Sequence, residues 1–144
     1  RISILPSNFK LIGCSDPFIN LKKTDFDNRN LTLTKDWKKL INLKSLQAVI
    51  ISTTHNLQST IIKECLKKNL HIFVEKPAAV NDKESKIILN ILKKKKNLKV
   101  RVGFNHRYHP AFQLAKKLTN QNKIGKIFCI RRVKCSEMCF KIKM

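Results

Sequence analysis

Glycine is scarce in this chain: Gly13, Gly103 and Gly125 are the only three in 144 residues, and none belongs to a GxGxxG turn. A glycine-rich phosphate cradle is therefore absent from this sequence. Acidic residues are also few, nine against thirty-one lysines and arginines. No apolar run approaches the roughly 18 residues needed to cross a bilayer. Arg1-Ile2-Ser3-Ile4-Leu5-Pro6 lacks the apolar core of a signal peptide, so a cytoplasmic protein without membrane association is expected. The five cysteines are odd in number and scattered, with no CxxC pair. Cys135 and Cys139 stand four apart but have no second pair of soft ligands, so reduced thiols and no metal site are expected.

What is present is lysine. The formal charge is +22, and lysines outnumber arginines 25 to 6. A strongly basic chain raises the question of a polyanionic partner, because lysine and arginine neutralise phosphates and release counterions. Modules that read nucleic acid concentrate arginine and interleave aromatics, whereas these lysines are spread along every predicted helix. The one run, Lys93 to Lys96, falls at a predicted helix end, where cations suit the negative end of the dipole. A solvated lysine surface is the reading, nucleic-acid binding is not expected, and a basic module holding a polyanion is the alternative.

The 42% hydrophobic content is enough for one folded core. Phe9 to Cys14 reads as a short buried strand stopped by Ser15-Asp16-Pro17. Thr34 is the expected cap of a helix carrying Trp37, Leu40 and Ile41. Ala48-Val49-Ile50-Ile51 is continuously apolar, which predicts a strand covered on both faces and hence a parallel sheet. A helix from about Asn56 to Lys68 would bury Leu57, Ile61, Ile62, Cys65 and Leu66, with Asn69 in the left-handed position after it. The strand His71 to Val74 follows, then a helix from about Asp82 to Lys95 with Ile87, Ile88, Ile91 and Leu92 inward, then the strand Val100 to Phe104. The alternation predicts an α/β fold with a doubly wound parallel sheet, whose ligands bind beyond the carboxyl ends of the strands. Past a boundary near residue 105, a helix from Pro110 to Asn120 leads through Ile124-Gly125-Lys126 into an alternating strand, Ile127 to Val133, read as the start of a different sheet.

Three polar motifs lie at predicted carboxyl ends. Asp16 is placed to accept hydrogen bonds from a ribose, although an acid before proline also makes an ordinary turn. Ser52-Thr53-Thr54-His55-Asn56 leads into a helix whose free amides suit an electron-rich ligand group, and simple capping is compatible with that. In Glu75-Lys76-Pro77 a lysine facing a cleft and partly desolvated can exchange a proton with a substrate hydroxyl; the same tripeptide alone is commonly a surface turn.

Taken together, Ala48 to Thr53, then Val74-Glu75-Lys76-Pro77, then Val102-Gly103-Phe104-Asn105-His106-Arg107-Tyr108-His109-Pro110, resemble the Gfo/Idh/MocA oxidoreductases in order and spacing, over nearly the whole chain. The resemblance implies a Rossmann-type domain over residues 1–105, incomplete here, followed over 106–144 by the start of an α/β substrate and oligomerisation domain. It implies hydride transfer between NAD, or NADP, and a sugar or polyol, in a full-length form that is a homo-oligomer. Lys76 would be the catalytic or cofactor-orienting lysine, with Glu75 beside the nicotinamide ribose and Asp16 at the adenosine ribose, which favours NAD. Thr53, Thr54 and Asn56 would line the cofactor path, with Asn105, Arg107 and His106 at the nicotinamide and substrate end. Gly103 to Tyr108 is similar to members that act in surface-sugar biosynthesis. Gln58 departs from the family by replacing a frequent histidine. The glycine-rich turn and the usual Asp and His of the substrate domain fall outside the 144 residues, so a truncated chain, inactive alone or a gene remnant, is a further expectation.

Overall fold

The computed structural model describes residues 9–18 and 31–129, with the backbone of 131–132 and 140–141. The chain divides into two compact units, Arg1–Gly103 and Phe104–Met144. In the first, strands β1 (Gly13–Ser15) and β2 (Thr32–Thr34) are followed by a single helical turn, α1 (Trp37–Leu40). Then come β3 (Ala48–Ile51), α2 (His55–Lys67), β4 (His71–Val74), α3 (Asp82–Lys94) and β5 (Val100–Val102). The second unit holds a 3-10 turn (Asn105–Tyr108), α4 (Pro110–Asn120) and an antiparallel pair, β6 (Arg131–Arg132) with β7 (Phe140–Lys141).

Among the described residues all strand pairing within the first unit is parallel, as the continuous apolar run of β3 predicts. It forms two sheets, β1-β2 and β3-β4-β5. A doubly wound sheet in the order 3-2-1-4-5-6 has one strand between the positions that β1 and β3 occupy here. Among the described residues no strand pairs those two edges. Helix α1 packs on β1 and β2 so closely that a β-carbon at Gly13 would stand 2.2 Å from Leu40 Cδ1. Trp37 and Ile41 carry this side of the unit into the main core.

That core lies between one face of β3-β4-β5 and helices α2 and α3. Ile51, Ile61, Ile62, Cys65, Leu66, Leu70, Ile72, Val74 and Ile88 are its buried members. The opposite face carries Ile50 and Phe73, 68% and 46% exposed, with Arg101 in register beside them. The expectation that both faces of β3 are covered is thus not met among the described residues.

Side-chain direction departs from expectation in both long helices. In α2 the buried residues are Gln58, Ser59, Ile61, Ile62, Cys65 and Leu66, while Leu57 is 46% exposed. At about 100° per residue, Gln58, Ile62 and Cys65 fall on one line and Leu57 sits about 100° to its side. In α3, Ile88 is buried with Ile91 and Leu92 against the core, but Ile87, one step round the helix, is 47% exposed.

The helix ends explain themselves chemically. Asp36, not Thr34, caps α1, its Oδ1 accepting from Lys38 N–H at 2.9 Å. Thr34 ends β2 and accepts from Asp36 N–H at 3.1 Å, a hydroxyl turn that resembles a cap in sequence. Asn81 caps α3 by accepting from Glu84 N–H at 2.9 Å. After α2, Asn69 adopts φ 58°, and Leu70 N–H and Asn69 N–H reach back to Cys65 O and Leu66 O. This is the Schellman closure that satisfies free helix carbonyls.

The predicted strand Ile127 to Val133 is reduced to Arg131–Arg132. Ile127, Phe128 and Cys129 are exposed and not in a strand, and residues 130 and 133 lie outside the described set. No helix among the described residues is long and apolar enough to cross a membrane.

Candidate functional site

The carboxyl ends of β3, β4 and β5 are level, because Ile51 pairs with Val74 and Val74 with Val102. The residues that follow each strand therefore meet along one edge. Glu75 N–H donates to Ile51 O at 2.9 Å and Gly103 N–H to Val74 O at 2.8 Å, so the ladder holds both residues in place. Strand alternation puts the Glu75 side chain on the face of Ile50 and Phe73. There its carboxylate lies over Gly103: a β-carbon at position 103 would stand 3.3 Å from Oε2 and 3.4 Å from Oε1 and Cδ. Oε2 also accepts from Lys76 N–H at 3.3 Å.

Lys76 follows on the same edge, and its peptide bond to Pro77 is cis. It is exposed, which corrects the expectation of partial desolvation: a strand end on an open sheet edge leaves the side chain in water. The ion pairs among the described residues, Lys67–Glu64 and Lys86–Asp82, lie elsewhere and do not engage it.

Thr53 and Thr54 link β3 to α2. Thr54 is the cap residue by backbone position, but its hydroxyl makes no cap bond and donates instead to Asn56 Oδ1 at 2.7 Å. The loop is held from below by Gln58, fully buried, whose Nε2 donates to Thr53 O at 3.0 Å. In the sequence Gln58 stands out only as a departure from the family's histidine, while its place on the line of Ile62 and Cys65 is the signal that it is buried.

Asp16 stands apart, at the end of β1 in the other sheet. Its Oδ1 accepts from Phe18 N–H at 2.9 Å across Pro17, and its backbone N–H donates to Thr34 O. Burial, and next the charge of Asp16, push the Cys14 thiol above its ordinary value. Asn105, His106 and Arg107 belong to the second unit. His106 and His109 meet Phe112 edge-on at ring distances of 6.2 and 6.3 Å, and His109 Nδ1 caps α4 by accepting from Ala111 N–H. Gln113 Nε2 donates to Arg107 O. These bonds give the histidines local structural work.

Thr53, Glu75, Lys76 and Gly103 thus share one edge, beside a helix amino end. A dinucleotide's ribose hydroxyls need an open carboxylate acceptor, and its amide needs small polar partners. Glu75, accessible on one side and seated on a buried glycine, fits that requirement. Among the described residues no group of histidine, cysteine and carboxylate side chains fits a metal ion.

Residues 5–104 match the profile of the Gfo/Idh/MocA family, described as an oxidoreductase family with an NAD-binding Rossmann fold. The chain belongs to that family. It is 36% identical over 98 residues to the levoglucosan dehydrogenase of Pseudarthrobacter phenanthrenivorans, covering 68% of this chain and 25% of that one. To the inositol 2-dehydrogenase/D-chiro-inositol 3-dehydrogenase of Lactiplantibacillus plantarum it is 29% identical over 128 residues, covering 88% of this chain and 37% of the relative. The fold matches the crystal structure of myo-inositol 2-dehydrogenase from Lactobacillus plantarum with a TM-score of 0.78 at 22% identity, over 88% of this chain and 38% of that one. A scyllo-inositol dehydrogenase from Lactobacillus casei with bound NAD(H) and scyllo-inositol matches with a TM-score of 0.73 at 23% identity, over 85% of this chain and 36% of that one. The chain thus spans between a quarter and just over a third of the relatives' length.

Proposed function

We propose that this chain is the cofactor-binding part of an NAD-dependent oxidoreductase, with NADP as second choice, acting on a sugar or polyol hydroxyl or carbonyl. The observation that carries the reading is the shared carboxyl edge of Thr53, Glu75 and Lys76 in a chain of this family. Bound NAD supplies a two-electron hydride acceptor. Glu75 accepts hydrogen bonds from the nicotinamide ribose, and Asp16 does so at the adenosine ribose. Thr53, Thr54 and Asn56 line the path between. Lys76 Nζ takes or returns the proton of the substrate hydroxyl. Asn105, Arg107 and His106, leading into a substrate domain from about residue 106, contact the nicotinamide and the substrate. The names of the relatives support inositols and anhydrosugars as the first substrate class. A surface-sugar substrate is the finer reading, supported by the motif from Gly103 to Tyr108.

NADH and NADPH titrations followed by nicotinamide fluorescence test the cofactor half of the proposal, with tighter NADH binding expected. A substrate panel of inositols, levoglucosan and nucleotide sugars, read by absorbance at the nicotinamide wavelength, tests the other half. Both are run on the full-length protein, and a protein that binds neither nucleotide would overturn the reading.

A further inference from the structure

The φ of Gly103 lies outside the left-handed region, so its backbone is one that any residue can adopt. A glycine at the end of a strand forgoes packing that a larger residue would give. Its value at this position must therefore lie in the space it leaves, and Glu75 occupies that space. All three atoms of the Glu75 carboxyl group lie within 3.3 to 3.4 Å of where a β-carbon would be. Contacts that short require the neighbour to give way by a few tenths of an ångström. Gly103 is itself buried, while Glu75 stays accessible on its other side.

We infer that Gly103 is a positioning residue whose missing side chain forms the seat on which the Glu75 carboxylate is held at the carboxyl edge. The inference rests on the reading of Glu75 as the nicotinamide-ribose acceptor, but the seat itself is a property of this chain with or without a ligand. Register makes it possible, since Val74 pairs with Val102 and the next residue on each strand is Glu75 and Gly103. Pleating then puts the side chain of one over the Cα of the other. The ladder bond from Gly103 N–H to Val74 O fixes the seat, and the bond from Lys76 N–H fixes the carboxylate from the chain side. A methyl group at position 103 displaces the carboxylate and leaves the sheet intact.

The test has one readout that needs no cofactor. The sequence has four glutamates, so a chain labelled with carbon-13 at the glutamate carboxyl gives four signals. Gly103→Ala should move the Glu75 signal and leave those of Glu64 and Glu84 in place. The Gly103 Cα resonance should move on Glu75→Gln, with those of Gly13 and Gly125 in place, which keeps the seat under test should Gly103→Ala not fold. The second readout is NADH affinity. Gly103→Ala should weaken it by roughly threefold to tenfold, the effect of weakening one charged hydrogen bond without removing it. Shortening the side chain with Glu75→Asp in the Gly103→Ala background should recover part of the loss, and in Glu75→Ala the glycine change should have no further effect. An unmoved Glu75 signal, or a full Gly103→Ala penalty in the Glu75→Ala background, overturns the seat. A moved signal in a chain that does not bind NADH upholds the seat and refutes only the ribose role.

Discussion

Lys95 separates the two readings of the basic surface. It belongs to the run Lys93 to Lys96, yet it alone of the four is half-buried. Its Nζ donates to Leu66 O at 2.8 Å and to Asn69 Oδ1 at 2.5 Å, tying the end of α3 to the carboxyl end of α2. Hydrogen bonds from a charged donor contribute about 1.5 to 3 kcal/mol where water is excluded. A cation at a helix carboxyl end adds about 0.3 to 1 kcal/mol. Water reaches part of this site and offsets some of that, so Lys95→Met, which keeps the apolar stem, should cost about 1.5 kcal/mol. Lys94→Met and Lys96→Met, at exposed positions, should stay within about 0.5 kcal/mol. Trp37 is the single tryptophan and packs against the core of this unit, so its fluorescence reports unfolding in urea. With a slope of about 1.5 kcal/mol per molar, the Lys95→Met midpoint should fall by roughly 1 M. Asn69→Gly keeps the left-handed backbone and removes one of the two acceptors, so the cost of Lys95→Met should shrink in that background. If the run instead served to hold a polyanion, all three lysine variants would lose oligonucleotide affinity alike. Each would lower the salt slope by about one, with stability unchanged. Equal midpoints for the three variants would refute the capping role.

Further expectations follow from single contacts. Burial, with a smaller push from Glu64, raises the Cys65 thiol from 9.0 to about 11. The folded state therefore favours the protonated form, and its advantage is complete below about pH 9 and lost as pH rises toward about 11. The loss is on the order of 2 to 3 kcal/mol, and Cys65→Ala should lack that part of the alkaline decline in urea midpoints. Ile62, fully buried, should cost about 2 to 5 kcal/mol on Ile62→Ala. Asn81→Ala removes the acceptor at the start of α3 and should cost about 1 kcal/mol, read as a lower thermal midpoint.

Much of the first unit is legible because its strands are unmixed. Ala48 to Ile51 and His71 to Val74 each carry a short apolar run stopped by polar residues, and Val100 to Val102 alternates as Val-Arg-Val. Register adds what a single segment cannot show. The closeness of Glu75 and Gly103 is a cross-strand relation between residues 28 apart, invisible to any local window. β2 is hidden for a different reason: Thr32-Leu33-Thr34 is only three residues long and abuts Asp36, so capping chemistry masks strand propensity. In α2 the apolar count favours the Leu57 side, but the line through Ile62 and Cys65 also passes through Gln58, and the bond from its Nε2 to Thr53 O offsets part of the cost of burying an amide whose Oε1 has no partner among the described residues. The exposure of Ile50 and Phe73 is not readable from an apolar run, which reports a preference for cover and not what supplies it.

Lys76 brings these threads to one consequence. Its side chain is exposed and anchors neither neighbour on the carboxyl edge. Glu75 and Thr53, by contrast, owe their positions to the ladder and to the Gln58 bond, which are present without any ligand. Binding and chemistry should therefore come apart. Lys76→Met retains the stem and leaves Glu75, Gly103 and Thr53 untouched, so NADH affinity should remain within about threefold of the parent. In the full-length protein, proton transfer then loses the amine proposed to carry it, and polyol-dependent turnover should fall by about 10² or more. Glu75→Ala should show the opposite pattern, with weakened NADH binding as its first effect. A Lys76→Met chain that loses NADH and turnover in the same proportion would mean that the lysine holds the cofactor and does not move the proton.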